Sequence, residues 1–398
     1  MIRMRLPLIT AITLLWLCPS AQEPTADYPP VLQNSFFGVS AGSINYNFSP
    51  MQLEPGNTVE AIKVPHTAVR ITLYGKQLAK HLAAQVTYMR PVSWVQYKNI
   101  NGQTNTRNVW MNVAGLTVTG RLPLTQKFSL SAEAGLGIIT RKGFSIDNKP
   151  VIKDANYAAL LAGAAVKYKL NKKWDLNINM VLSPENKKVK QPQTLFLGAG
   201  FHYHLRASSI RMSKSVFNSP YEYPKQFLVA GITTNALGYG VNNAVSKGPV
   251  PVFWGGEVHI KQGFSISYQR NIFHTRKVFA IDWGAGFGHW ISRDNKESFF
   301  TLSVFPVLRF TAVRTKPADL FFEYAVAGPT YISRPVIDNK ETGRKFTFYD
   351  FMGMGVFTGK KRNVGINIRI AHFSNGNLFP RNDGIKIPLT FSLQKIIK

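Results

Sequence analysis

The sequence predicts an all-β protein, a transmembrane antiparallel β-barrel, and three observations carry that prediction. After residue 30, apolar residues recur with period two in segments of about ten residues, the length of a tilted membrane-crossing strand. The breaks between these segments alternate short and long, as periplasmic turns and outer loops do. No interior apolar run is long enough for a spanning helix, although hydrophobic types make up 45% of the 398 residues.

The segment "WDLNINM" shows the alternation: Trp174, Leu176, Ile178 and Met180 share one face, and Asp175, Asn177 and Asn179 share the other. In the amino-terminal half, strands are expected near 35–44, 67–75, 80–91, 107–121, 127–140, 156–169, 174–183 and 193–206. The turns "GKQLA", "PLTQ" and "NKK" are tight, while 45–66, 92–106, 141–155 and 184–192 are longer and polar. The carboxy-terminal half repeats the count near 226–237, 251–272, 277–290, 298–312, 318–331, 344–358, 363–374 and 385–397. Its second strand is too long and carries Gly255, Gly256 and Gly263, which predicts a bulge or break there. The pattern reads as two tandem eight-stranded barrels, 30–206 and 225–398, joined by a polar periplasmic linker at 207–224. One sixteen-stranded barrel is the alternative, since either closes the sheet and leaves no edge in lipid. A secreted soluble sandwich would alternate too. Trp94, Tyr97 and Trp110, and Trp254, Trp290 and Tyr331, cluster near expected strand ends, where a membrane-interface girdle would place them.

The first residues fit export. Arg3 and Arg5 precede an apolar run from Leu6 to Leu17 and then small residues, the layout of a cleavable secretory signal over 1–21. The single cysteine, Cys18, falls inside that segment or at its edge, so a mature chain without thiol or disulfide is expected. Lysine and arginine number 48 against 20 acidic residues, a formal charge of +28. Such a charge suits a broad anionic partner. Export argues against nucleic acid, and a phosphate-rich membrane surface fits the same charge.

Few motifs carry chemistry. "GAGFGH" at 284–289 lacks the helix that a phosphate-cradling loop requires, and parity places its glycines toward a narrow lumen. His202 and His204 are the nearest approach to metal-ligand spacing, and they read better as interface residues near a periplasmic end, so neither metal nor cofactor is expected. The stretch "HFSNGNLFPRNDG" at 372–384 is different. On the strand before it, Val364, Ile366, Ile368 and Ile370 form the apolar face, and His372 and Ser374 continue that face at the outer end. A histidine and a serine at i and i+2 are close enough for the imidazole to take the hydroxyl proton, and "NGN" could offer amide N–H groups to an oxyanion. The plainer reading makes these residues the polar rim where a strand leaves the membrane.

"AHFSNGNLFPRNDGIKIPLTFSL" resembles the carboxy-terminal signature of the outer-membrane lipid A 3-O-deacylases: H-x-S-N, a short glycine-containing loop, then N-x-G-I and a last strand. That resemblance covers about 25 residues. It implies an eight-stranded barrel bearing a Ser-His-acid triad on its outer wall, which removes an ester-linked acyl chain from lipid A in the outer leaflet. It implies His372 as base, Ser374 as nucleophile, and Asn375 with Gly376 as the oxyanion region, with no cofactor. Lipopolysaccharide would be the partner, its phosphates met by Arg381 and Lys386. One residue departs from the pattern: Lys386 stands where the family places a glutamate. Asp383, of the same parity as an outward Ile385 and Ile387, is the expected substitute. The alternatives are a Ser-His dyad and a catalytically inactive structural or pore-like barrel.

Overall fold

The computed structural model describes residues 28–205, 210–246 and 255–397. The expected signal segment, Cys18 and Trp254 lie outside the described residues.

Two sheets close separately. In the first half the strands are β1 (Ser35–Tyr46), β2 (Val59–Lys63), β3 (Thr67–Ala79), β4 (Leu82–Pro91), β5 (Val95–Ile100), β6 (Thr106–Pro123), β7 (Phe128–Lys142), β8 (Phe144–Ile146), β9 (Lys149–Ile152), β10 (Ala155–Lys169), β11 (Trp174–Ser183) and β12 (Thr194–Leu205). β1, β3, β4, β6, β7, β10, β11 and β12 form the ring, which closes where Ser35 through Tyr46 pair with Leu205 through Thr194. The long loops are not structureless: β2 and β5 extend the sheet beyond β6, and β8 and β9 form a hairpin.

A helix, α1 (Ile210–Phe217), follows in the linker. The second half holds β13 (Gln226–Thr234), a short helix α2 (Gly240–Ser246), β14 (Val258–His274), β15 (Phe279–Ser292), β16 (Ser298–Arg314), β17 (Ala318–Ile332), β18 (Val336–Ile337), β19 (Lys340–Glu341), β20 (Phe346–Thr358), β21 (Val364–Ser374) and β22 (Ile385–Ile396). Eight of these strands close into a barrel, with β13 joined to β22 from Phe227↔Ile396 to Thr233↔Thr390. β13 is short, so above its end β14 meets β22 directly, Val258 opposite Ile385 and His259 opposite Lys386. The irregularity expected around Gly263 is real: β14 carries register shifts at Ile260/Gln262 and Asn271/Phe273. The sixteen-stranded alternative is therefore replaced by two eight-stranded barrels.

Burial is inverted relative to a soluble protein, which is what a lipid solvent selects. On β11, Leu176 and Ile178 are exposed on the outer wall while Asp175, Asn177 and Asn179 are buried inside. Polar residues can occupy the lumen because an eight-stranded ring is narrow enough for side chains to fill and pair within it. In the first barrel Arg70 pairs with Glu133 at 2.5 Å. In the second, Arg309 lies 2.5 Å from Asp282 and 3.6 Å from Glu323 and stacks against Phe227, Phe321 and Phe357.

Some side chains depart from the sequence reading. His202 and His204 turn into the lumen, where His204 Nε2 lies 2.8 Å from Asp175 Oδ2. Trp290 also points inward and donates to Thr301 Oγ1. Tyr97 is buried among the outer loops, donating to the Ser49 carbonyl. The larger correction concerns the last strand. Between Arg369↔Thr390 and Ala371↔Ile387, β22 uses one residue more than β21. Pro388, which has no N–H to give the ladder, sits in this bulge. The extra residue reverses parity beyond it, so Ile385 and Ile387 join the inner core with Ala371 and Phe373 instead of facing outward. Lys386 takes the outward position opposite His372.

Candidate active site

The outward parity of β21 holds to its end: Phe348 faces Ser374, and Asp350 faces His372, across the β20–β21 register. Three polar side chains therefore stand together on the wall, beside Lys386 and above an apolar row that includes Ile366, Ile368 and Met354. Asp350 Oδ2 lies 3.9 Å from His372 Nδ1. Asp350 Oδ1 accepts the amide of Ala327, which a register shift in β17 and a left-handed φ of 55° turn toward it. The acid is thus held in place by a distorted backbone, a form of strain concentrated at functional sites.

On the other side of the imidazole lies Gly384. A Cβ there would come within 3.1 Å of His372 Nε2, and its φ of +66° favours glycine. The glycine of the N-x-G-I pattern thus leaves room for the imidazole. Ser374 Oγ accepts hydrogen bonds from Gly376 N at 3.2 Å and Asn382 Nδ2 at 3.0 Å. The Asn382 amide orientation follows from its neighbours, because Oδ1 accepts the Asn375 N–H, which can only donate, at 2.9 Å.

The oxyanion expectation divides. The Asn375 amide is engaged by Asn382, and its side chain ties the loop to the carbonyls of Thr342 and Arg381. The Gly376 amide points at the serine oxygen. The two expected phosphate contacts are held by protein partners: Arg381 Nε lies 3.1 Å from Asp154 of the first barrel and 3.6 Å from Glu341, and Lys386 Nζ donates to Asn243 of α2 at 2.9 Å. Asp383, the expected acid, accepts the Glu341 amide at 2.7 Å, which fastens the loop to the β18–β19 hairpin.

Asp350 and Asn382 are the residues that sequence reasoning did not single out. A signal for each was present. Asp350 interrupts the outward apolar row Phe346, Phe348, Met352, Met354, and Asn382 opens the N-x-G-I motif. Among the described residues, no group of His, Cys, Asp and Glu is arranged to hold a metal.

His372, Ser374, Asp350, Asn382 and Asp383 line a cleft of about 1010 Å³. Its opposite side is the outer wall of the first barrel, including Arg90, whose guanidinium stacks on Trp94 at 4.4 Å.

The apolar outer walls and filled polar lumens define an outer-membrane β-barrel protein, located in the bacterial outer membrane. Its carboxy-terminal barrel carries the match to a known family: residues 262–388 match the family described as lipid A 3-O-deacylase (PagL). Among solved structures, the outer membrane enzyme PagL is 18% identical, aligning over 43% of this chain and 99% of that one with a TM-score of 0.32. The amino-terminal β-barrel domain of Pseudomonas aeruginosa OprF is 14% identical over 43% of this chain and 98% of that one, with a TM-score of 0.28. Neisserial surface protein A is 14% identical over 43% and 97%, with a TM-score of 0.29. No curated protein matches the chain.

Proposed function

We propose that the protein is an outer-membrane esterase that removes an ester-linked acyl chain from lipid A, with Ser374 as nucleophile, His372 as general base and Asp350 as the acid. The observation that carries this reading is the outward placement of Asp350, His372 and Ser374 on adjacent strands, with Asp350 itself anchored by the Ala327 amide. Ionisable side chains on a lipid-facing wall are costly and mark function.

Rotation about the Ser374 Cα–Cβ bond carries Oγ from its loop partners toward His372 Nε2 and the bound ester. Oγ attacks the ester carbonyl as the imidazole takes its proton. Asp350, on the Nδ1 side, stabilises the imidazolium. At 3.9 Å the acid and base lie farther apart than a hydrogen bond, and such contacts tighten in the transition-state complex. The Gly376 N–H and the Asn382 carboxamide, both directed at the serine, hold the developing oxyanion, with Asn375 fixing the loop that carries them. The imidazolium returns its proton to the departing sugar oxygen. A water, deprotonated by His372, then releases the fatty acid and restores the serine. Asp383 acts as a loop anchor in this scheme. Arg90 meets the lipid A phosphates, while Arg381 stays paired with Asp154 and Glu341 and Lys386 remains tied to α2.

The test is mass spectrometry of lipid A from cells expressing the wild type or Ser374→Ala. The expected outcome is lipid A lacking one acyl chain only with the wild type, the variant losing at least about 10³-fold in rate. Identical acylation in both strains would remove the hydrolase reading and leave a structural barrel.

A further inference from the structure

The first barrel supplies only Arg90 to the scheme above, yet its outer wall carries other polar residues. Asn112, Thr140 and Asn156 occupy outward positions of β6, β7 and β10, where lipid would leave their polar groups unsatisfied. They are spent on the loop between β21 and β22. Asn112 Nδ2 donates to the Asn377 carbonyl at 2.9 Å, and Thr140 Oγ1 and Asn156 Nδ2 donate to the Leu378 carbonyl at 3.0 and 2.5 Å. The Arg381–Asp154 pair adds a charged tie at the same rim. At the periplasmic end, Tyr28 stacks on Phe273 at 4.9 Å. The barrels are pinned at both ends, and the cleft lies between the pins.

Below the polar clamp, the first barrel's side of the cleft is aliphatic apart from Tyr88. Following β6 away from the rim, the outward residues run Asn112, Ala114, Leu116, a descent of about 13 Å at strand spacing. Ala114 and Ala158 leave room near the clamp, and Leu116 and Leu136, paired directly in register, stand deeper. Both leucines are 63% exposed although they face a cavity, so the slot is open along their length. The opposite side of the same slot carries Ser374.

We infer that the first barrel is the second wall of an acyl-chain groove: one fatty acyl chain of the glycolipid descends between the barrels, its ester at Ser374 and its methyl end toward Leu116 and Leu136. This rests on the deacylase reading and adds the part that the first barrel takes in it, as the element that sets acyl-chain length. A chain in this slot meets the first barrel's aliphatic side chains on one side and Val326, Ala327 and Phe348 beside the polar groups on the other, where a lone barrel would give it one wall.

The full-length protein in mixed micelles is assayed on glucosamine-based glycolipid esters with short, medium and long acyl chains, comparing wild type with Leu116→Trp and Leu136→Trp. Tryptophan is tolerated on a barrel's outer face, and heat-modifiable electrophoretic migration verifies that each variant folds. The groove predicts that kcat/KM for the long chain falls at least 10-fold while that for the short chain stays within 3-fold. Equal loss at every length, or no loss, overturns the groove and leaves the deacylase reading intact. If the wild type hydrolyses nothing, native mass spectrometry of Ser374→Ala and its Leu116→Trp derivative decides the groove alone. Glycolipid retained by the first and lost from the second supports it. Retention of phospholipid only, or equal retention by both, overturns it.

Discussion

The two barrels share strand number, closure and a polar filled lumen, and differ in what interrupts their lipid-facing walls. The second barrel breaks its apolar row with an acid, a base and a hydroxyl, Asp350, His372 and Ser374, arranged across one β20–β21 hairpin. The first breaks its row with amides and a hydroxyl, Asn112, Asn156 and Thr140, which act as donors to the other barrel's backbone. Both sets violate the same rule of an apolar outer face. One set holds two ionisable groups beside a hydroxyl and lines a cavity, whereas the other is neutral and engaged. On the proposed reading, the kind of polar residue that interrupts an outer wall separates a reactive surface from a docking surface.

The sharpest way to break the comparison is at the acid. Asp350→Asn should lower kcat by roughly 10³- to 10⁴-fold. Asp383→Asn should cost less than about 10-fold, because its carboxylate serves the Glu341 amide. Steady-state kinetics on a soluble glycolipid ester checks both, and the reverse order would return the acid role to Asp383.

The lumens provide the second comparison. Arg309→Met leaves Asp282 and Glu323 buried without their cation and should destabilise the second barrel by about 3–5 kcal/mol. Urea unfolding in lipid vesicles, followed by tryptophan fluorescence, should show this as a transition that moves while the first barrel's does not. A single shifted transition for both halves would mean that the barrels unfold as one unit.

The smallest effect is expected at the clamp. Replacing Asn112, Thr140 and Asn156 together by Ala, Val and Ala should cost roughly 1 kcal/mol per hydrogen bond and leave each barrel's closure untouched. Hydrogen exchange at the amides of 375–378 should rise, with β13–β22 protected as before. Unchanged exchange in the loop would show that the loop keeps its shape without the first barrel.

The strands, their pairing into two rings and the outward parity of His372 and Ser374 were legible because period two is a local property. Lys386 was legible as a departure, and the acid proposed in its place was not. Asp350 lies 22 positions upstream of His372 and becomes its neighbour only through the β20–β21 register, which no local pattern specifies. The outward parity of Ile385 and Ile387, on which the choice of Asp383 rested, is lost at one residue, the bulge at Pro388, since a single insertion exchanges the two faces of everything beyond it. The clamp left a trace in three polar residues at apolar parity. Their partners are carbonyls more than 200 positions away, and backbone groups carry no sequence signal.

The hydrogen bonds to the Leu378 carbonyl have a mechanical consequence. A closed ring of strands is stiff, every strand being paired on both sides, so neither barrel deforms easily. Residues 375–384 are tied to one ring by covalent bonds and to the other by Asn112, Thr140 and Asn156. Any rocking of the two rings in the plane of the membrane is therefore concentrated in this short bridge, which also holds the Gly376 amide and the Asn382 carboxamide against the serine.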